Sequence, residues 1–456
     1  MLFQSQEFVL VFLPVVLAGY WIVAGSASAR QWLLIVASLT FYGWWDIRFL
    51  PLLIAHAVLT WLLAKLYCRL RRPAIIILAI ALNLTSLATF KYADFLLRTL
   101  EDITRLDLPR NDILLPIGIS FFTFQLVSYL VDVRRGTAPE YPFRTFFLFA
   151  TFFPQLIAGP IVRHNEIIDQ FARDPRRDGM HFRLAAGSLL FTLGFAKKVF
   201  LADRLAPTVD ALFLRAQTEA LGFADAWSAT LGFSFQLFLD FSAYSEMAIG
   251  LGLLFGFVLP ENFNRPYLAT SLRDFWRRWH ITLSRFLRDY LYIPIGGSRH
   301  GMAVYVFATL VTMGLCGLWH GAGWTFVAWG LMHGVGLILC HAWQKSGMVL
   351  PPVLGWAATM LFVAFGWILF RSPDFTTAWS MMQAALGTTG TMGDVHAASL
   401  LMLAAAVAVI VPSAHRIMDK TLVPSRLVAG ASALILTIAV LEVGNAPPAA
   451  FIYFQF

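Results

Sequence analysis

Uncharged apolar runs of about 20 residues, the length that crosses the hydrocarbon core of a bilayer as a helix, recur from one end of this chain to the other. The run in RQWLLIVASLTFYGWW follows directly on that of MLFQSQEFVLVFLPVVLAGYWIVAGSASAR, and short polar connections separate those that come after. Nothing constrains the fold more. In lipid every backbone N–H and C=O must be satisfied within the protein, which leaves only helices and closed barrels. The runs are too long and too uniformly apolar for the alternating strands of a barrel. The expectation is an all-α polytopic integral membrane protein with about ten to twelve transmembrane or re-entrant helices, read as a single domain over residues 1–456.

Charge then decides the environment of the connections. Only 13% of residues are charged against 59% hydrophobic, and the mean hydropathy of +0.70 lies outside the range of soluble globular chains. A net charge of +8 would suggest nucleic acid for a soluble protein. Here Arg and Lys stand in the loops, as the positive-inside rule expects, so no nucleic acid partner is implied. The first apolar run has no basic segment before it, and it reads as a first span and not a cleaved signal. Arg30, the loop KLYCRLRR from Lys65 to Arg72, and Arg134 with Arg135 follow one another at intervals of two apolar runs. These loops are assigned to the cytoplasm, with the N-terminus outside. Cys68, Cys316 and Cys340 stand in or beside apolar runs with neither metal-ligand spacing nor a secreted-domain pattern, so no disulfide is expected.

Polar groups and helix breakers inside the runs are the candidates for function. The segment from Asp112 to Val133 reads as a span. The next, FRTFFLFATFFPQLIAGPIVRHNEI, is broken by Pro154, Gly159 and Pro160. It is either a re-entrant element lining a cavity or an ordinary Pro-kinked span. In FQLFLDFSAYSEMAIG, Asp240 and Tyr244 are four apart and share a helical face, where they could form one buried polar contact. An acid at this depth is expected to orient an Arg or a His.

Residues 261–334 hold the densest set of candidates. From Ser271 to Tyr292 helical periodicity gathers Leu272, Phe275, Trp276, Trp279, Leu283, Phe286, Leu287 and Tyr290 on one side, with Arg277 and Arg288 flanking the other. His280 falls at the margin, beside Trp276 and Leu287 on one flank and Arg273 and Arg277 on the other. Such a segment is either an interfacial helix whose arginines meet lipid headgroups or a receiver for an anionic ligand such as the phosphates of a nucleotide-derived carrier. The following span contains His320 among Gly314, Gly317, Gly321 and Gly323. A histidine at membrane depth is costly, and the glycines let backbone or ligand approach it closely. His333 lies more than three helical turns further on, so a metal site built from His320, His333 and His341 is not expected. Cys316 shares the face of His320 four residues away, either as half of a Cys/His nucleophile pair or as a small buried packing residue.

Taken together, MLFQSQEFVLVFLP, FYGWWDIRFL, LPIGISFFTFQLVSYLVDV, FFPQLIAGPIVR, LDFSAYSEMAIGLG, DFWRRWHITLSRFLRDYLYIPIGG, GLWHGAGWTFVAWGLMHG and the terminal FIYFQF cover nearly the whole chain. They resemble the membrane-bound O-acyltransferase superfamily, and within it the bacterial alginate O-acetyltransferase-like branch. The resemblance implies helices around a central tunnel, a cytoplasmic acyl thioester donor, and export of the acyl group towards a cell-surface polysaccharide. His320 in LWHG stands at the family's catalytic histidine, and His280 in RRWHITLS at the second motif position, held by His or Asn across the superfamily. The loop TTGTMGDVH, Thr388 to His396, has no counterpart in that pattern.

The chemistry fits the residues. Acyl transfer from a thioester to a hydroxyl needs a base for the hydroxyl proton, and a neutral imidazole with a pKa near ~6.5 suits that role. His320 is the expected base. A donor for the developing oxyanion could be His280, an Arg of the same helix, or a backbone N–H near Gly317. Arg273, Arg277 and Arg288 are the expected donor-binding residues, Asp240 and Tyr244 supporting polar groups, and no metal or bound cofactor is expected. The thioester is acetyl-CoA or an acyl carrier. Expected partners are a polysaccharide acceptor, membrane lipid and a periplasmic acetyltransferase, with the chain in the bacterial inner membrane. A transporter or flippase of an envelope precursor is the alternative reading of buried polar residues and broken helices.

Overall fold

The computed structural model describes residues 1–106, 108, 113–421, 423–445 and 451–452. Asp112, at the head of one expected span, and Tyr453 to Phe456 of the terminal motif lie outside these. Among the described residues the secondary structure is helical throughout. Eight helices among the described residues are long and apolar enough to cross a membrane. In chain order the helices used below are α1 (Phe8–Ile22), α2 (Ala27–Trp45), α3 (Ile47–Leu70), α4 (Pro73–Thr104), α5 (Ile119–Arg135), α6 (Phe143–Thr151), α7 (Phe153–Leu156), α8 (Met180–Arg215), α9 (Phe223–Leu254), α10 (Leu272–Arg278), α11 (Ile281–Leu287), α12 (Met302–His320), α13 (Trp324–Lys345), α14 (Pro352–Arg371), α15 (Phe375–Ala385), α16 (Ala398–Ile410) and α17 (Arg426–Gly444). The eight are α3, α4, α8, α9, α12, α13, α14 and α17; α1 and α16 are shorter apolar helices. The chain is an all-α, multi-pass membrane protein.

Two compact units divide the chain. One comprises Met1–Leu193, Tyr244–Pro260 and Leu422–Ala446; the other comprises Gly194–Ala243, Glu261–Thr421 and Pro447–Phe456. In the first, Phe8, Phe12, Phe41 and Phe153 pack ring on ring with centroids 5.4–6.2 Å apart. Arg30, expected in a loop, is buried in the first turn of α2, where Ala24 O and Arg173 O accept from its guanidinium. The Pro154 segment is broken outright. α6 ends at Thr151, Phe152 is extended (φ −54°, ψ 109°), and α7 restarts at Phe153. The backbone N–H freed by the break is taken up inside the protein, because Phe153 N donates to Ser38 Oγ at 3.0 Å, and Gln155 Nε2 donates to Phe149 O at 2.8 Å. Non-helical backbone at membrane depth is tolerated only with such partners.

The second unit is built on the α12–α13 hairpin. Gly317 lies against Phe326 O and Gly330 against Met313 O, each so close that a Cβ would overlap the facing carbonyl. Small residues at this contact let two helix backbones approach within reach of dispersion and Cα–H···O contacts, which supply helix association where lipid removes the hydrophobic drive. The expected cost of Gly330→Ala is about 1–3 kcal/mol, the range for overpacking. Thermal unfolding of the purified protein checks it, with Gly430→Ala as the control, since nothing lies within 4 Å of a Cβ there and its backbone is ordinary helix.

Candidate functional site

The amphipathic segment does not form one helix. Ser271 caps α10 by accepting from Asp274 N at 3.2 Å, and the helix stops at Arg278. His280 then takes a left-handed conformation (φ 42°, ψ 55°) before α11 begins at Ile281. A side chain with a Cβ adopts this at a cost of roughly 1–2 kcal/mol. What holds it is the loop at Asn262. Ile281 N donates to Asn262 O at 2.9 Å and Asn264 N to Arg278 O at 2.9 Å. Asn262 Oδ1 accepts from His280 Nδ1 at 3.1 Å, from Thr282 N at 3.3 Å and from Thr282 Oγ1 at 2.9 Å. The periodicity is thus correct for each half and wrong about their continuity. His280 is fully buried at 0% exposure instead of lying at a boundary.

That bend points His280 into an aromatic chamber. Its ring meets Phe241 edge-on at 4.7 Å, Trp319 at 5.9 Å and His320 at 6.5 Å between centroids. Burial holds its imidazole below the ordinary histidine range, favouring the neutral form. His320, the last residue of α12, is 2% exposed. Its ring is bounded by Trp319 at 5.0 Å, Trp329 at 5.1 Å and Phe370 at 5.3 Å. The two sequence-predicted histidines are therefore brought together, from elements 40 residues apart. His333 packs on the other side of the hairpin turn, 4.7 Å from Trp329, and accepts from Trp276 Nε1 at 3.3 Å.

A cavity of about 500 Å³ opens beside this chamber. Arg273, Arg277 and Arg288 all line it, and so does Arg285, which the sequence reading passed over. Arg273 donates to Gln344 Oε1 at 2.7 Å and to His341 Nδ1 at 3.3 Å, and Arg288 pairs with Asp289 at 2.6 Å. Trp276, Tyr292 and Tyr305 give it aromatic walls, and its inner lining reaches Thr309, Thr312 and Met313 of α12. Thr312, Cys316 and His320 follow at intervals of four on one helical face. From Met313 to His320 the rise is about 10 Å. The same helix thus contributes Thr309, Thr312 and Met313 to the arginine-lined cavity and carries His320 at its end.

Asp240 and Tyr244 have other partners. Asp240 forms an ion pair with Lys198 at 2.9 Å, and Lys198 also meets Asp203 at 2.8 Å. The expected Arg or His partner is a lysine, placed on the preceding span by a spacing that no local pattern encodes. The Tyr244 ring stacks on Phe3 at 4.6 Å. Asn262 was missed because a single Asn in the loop PENFNRP carries no periodic signal. Arg285 had one: it stands at the i+8 position from Arg277, on the same stripe.

A model of the membrane-bound O-acyltransferase family matches residues 39–372. A peptidoglycan O-acetyltransferase of Helicobacter pylori is 39% identical over 429 residues, covering 86% of this chain and 80% of that protein. A probable alginate O-acetylase, AlgI, of Pseudomonas aeruginosa is 42% identical over 397 residues, 84% of this chain and 74% of that protein. A teichoic acid D-alanyltransferase of Bacillus subtilis is 29% identical over 284 residues, 59% of this chain and 71% of that protein.

The thiol of Cys316 is fully buried four residues before His320 on one helical face, as the packing alternative expects. If Cys316 only packs, Cys316→Ser is expected to keep activity within about tenfold of the parent, since it changes size little. An acyl group trapped as a thioester on Cys316 would overturn this.

Proposed function

The chain belongs to the membrane-bound O-acyltransferase family, and from that premise we propose that it moves an acetyl group from a cytoplasmic thioester to a hydroxyl of an exported polysaccharide, with His320 as general base. Family membership makes the protein an acyltransferase and removes the transporter reading. The observation that carries the finer reading is the cavity lined by Arg273, Arg277, Arg285 and Arg288, whose wall includes Thr312 and Met313 of α12, the helix that ends at His320. Guanidinium groups suit phosphate through forked, charge-assisted hydrogen bonds. Both acetyl-CoA and a phosphopantetheine arm on a carrier protein present such phosphates at one end and a thioester at the other.

In this reading the phosphates sit at the arginines and the acyl carbonyl lies beside His320. The acceptor hydroxyl attacks the carbonyl carbon as His320 takes its proton, and the C–S bond breaks. The thiolate leaves with that proton, which returns His320 to neutral for the next cycle. The surrounding Trp319, Trp329 and Phe370 keep water from the thioester, which would otherwise be hydrolysed. In this reading the acceptor is an envelope glycan, in keeping with the relatives named for peptidoglycan and alginate, the chain lies in the bacterial inner membrane, and a periplasmic acetyltransferase is its partner.

His320→Ala is expected to lower kcat by about 10²–10⁴-fold, the worth of a general base, while the protein stays folded and inserted. Thiol release from acetyl-CoA and acetyl transfer from a carrier thioester, measured on purified protein, check this and identify the donor. Near-normal turnover in a well-expressed variant sinks the assignment. Replacing Arg277 and Arg288 together by Gln is expected to raise the KM for the thioester more than it lowers kcat, the mark of lost ground-state binding. High salt should imitate it in the parent, because exposed charge is screened over ~10 Å at 0.1 M. Normal donor affinity with failed insertion would make the arginines lipid anchors.

A further inference from the structure

The hydrogen bonds around Asn262 fix more than a bend. A backbone N–H can only donate, so the bond from Thr282 N identifies the Asn262 atom at 3.3 Å as the carbonyl oxygen. His280 Nδ1, 3.1 Å from that same oxygen, must then carry the proton. In the neutral ring Nε2 is left as a bare lone pair. Nε2 is buried and has no hydrogen-bond partner among the described residues. A neutral His280 held this way accepts a hydrogen bond and cannot donate one to an oxyanion.

The ring of His320 is 6.5 Å away between centroids. That is too far for a direct N–H···N bond and suits one bridging oxygen with two bonds of about 2.8 Å. We propose that Asn262 is a positioning residue which locks His280 as the Nδ1–H tautomer, so that His280 accepts, through one bridging water or hydroxyl, the hydrogen bond that orients His320 as the base. The chain then runs in one direction: His320 donates to the bridging oxygen, that oxygen donates to His280 Nε2, and His280 Nδ1 donates to Asn262. Each link polarises the next and strengthens the lone pair on the other nitrogen of His320. The inference rests on the reading of His320 as base and removes His280 from the candidates for oxyanion donor.

Among the described residues, the hydrogen-bond partner and rings that meet His280 are Asn262, Phe241, Phe263, Trp319 and His320, and of these His320 alone is a titratable group. A carboxylate at position 262 would therefore act on an otherwise uncharged surround. Asn262→Asp keeps the accepting oxygen but favours the imidazolium, whose Nε2 donates and breaks the chain. Its kcat should fall as pH drops, with the acid limb displaced upward from that of the parent, and recover at higher pH. Asn262→Ala should lose about 10²-fold in kcat, the scale of a misplaced catalytic group, with the KM for acetyl-CoA, used as donor probe, little changed.

The ring nitrogens can be read without any donor, by nitrogen-15 NMR of histidine-labelled protein in lipid, with His280→Gln to assign the signal. The expected parent spectrum has a protonated Nδ1 and a bare Nε2; Asn262→Ala should mix the two tautomers, and Asn262→Asp should charge the ring at higher pH. A protonated Nε2 in the parent overturns the proposal, as does an Asn262→Asp variant that folds and keeps the parent pH profile. An active His320→Ala instead refutes the base assignment, and leaves the tautomer lock to be judged from the spectrum.

Discussion

The bend at His280 is the constraint on which the site depends. A continuous helix from Ser271 to Tyr292 would set His280 and the arginines on adjoining flanks of one cylinder, with both at the same depth. Breaking it lets one short segment serve two environments. Trp279 and His280 turn into the protein, while Arg277, Arg285 and Arg288 line the cavity. The break is unfavourable locally, since His280 occupies a left-handed conformation. It persists because Asn262 returns several hydrogen bonds at once, through its backbone oxygen and through a side-chain oxygen that accepts three. The geometry is over-determined by its surroundings, as strained positions at functional sites are.

The α12–α13 hairpin makes the complementary arrangement. Gly317 and Gly330 bring the two backbones together just before the turn, so His320 is presented from a helix end that cannot shift without moving both helices. Its aromatic neighbours come from three directions: Trp319 beside it on α12, Trp329 on α13 and Phe370 on α14. A base needs to remain neutral and dry until a hydroxyl arrives. Rings meet that need where polar side chains would compete for the imidazole.

Some of this was legible in the chain and some was not, for physical reasons. Spans are read from runs of apolar residues because lipid imposes the same requirement on each, whatever its neighbours. His320 stands out for the same reason, as a polar group in such a run, and the glycines around it announce close packing. The break between Phe152 and Phe153 was signalled by Pro154, but its partner Ser38 lies on α2, 115 positions earlier, where nothing marks it. His280 and Asn262 show the limit more sharply. The sequence around 280 has helical periodicity on both sides, and only a pairing with the loop at 262–264 interrupts it. Local pattern cannot report a hydrogen bond supplied from outside its window.

Asp240 shows how a buried acid can be a candidate by chemistry and yet serve the site only through packing. In hydrocarbon an unpaired carboxylate is prohibitive, and the attraction to a lysine roughly offsets the desolvation of both charges without adding much stability. What such a pair supplies is register. Lys198 Nζ is held between Asp203 and Asp240, which ties α8 to α9 at one height, and the remaining capacity of Asp240 accepts from Ile452 N at 2.9 Å. The tie thereby fixes Phe451, whose ring packs at 5.7 Å on Phe241, and Phe241 in turn meets His280 edge-on. Charge at Asp240 reaches His280 only as a wall held in place: two rings intervene, so the carboxylate sets where the imidazole can sit and leaves its proton to Asn262.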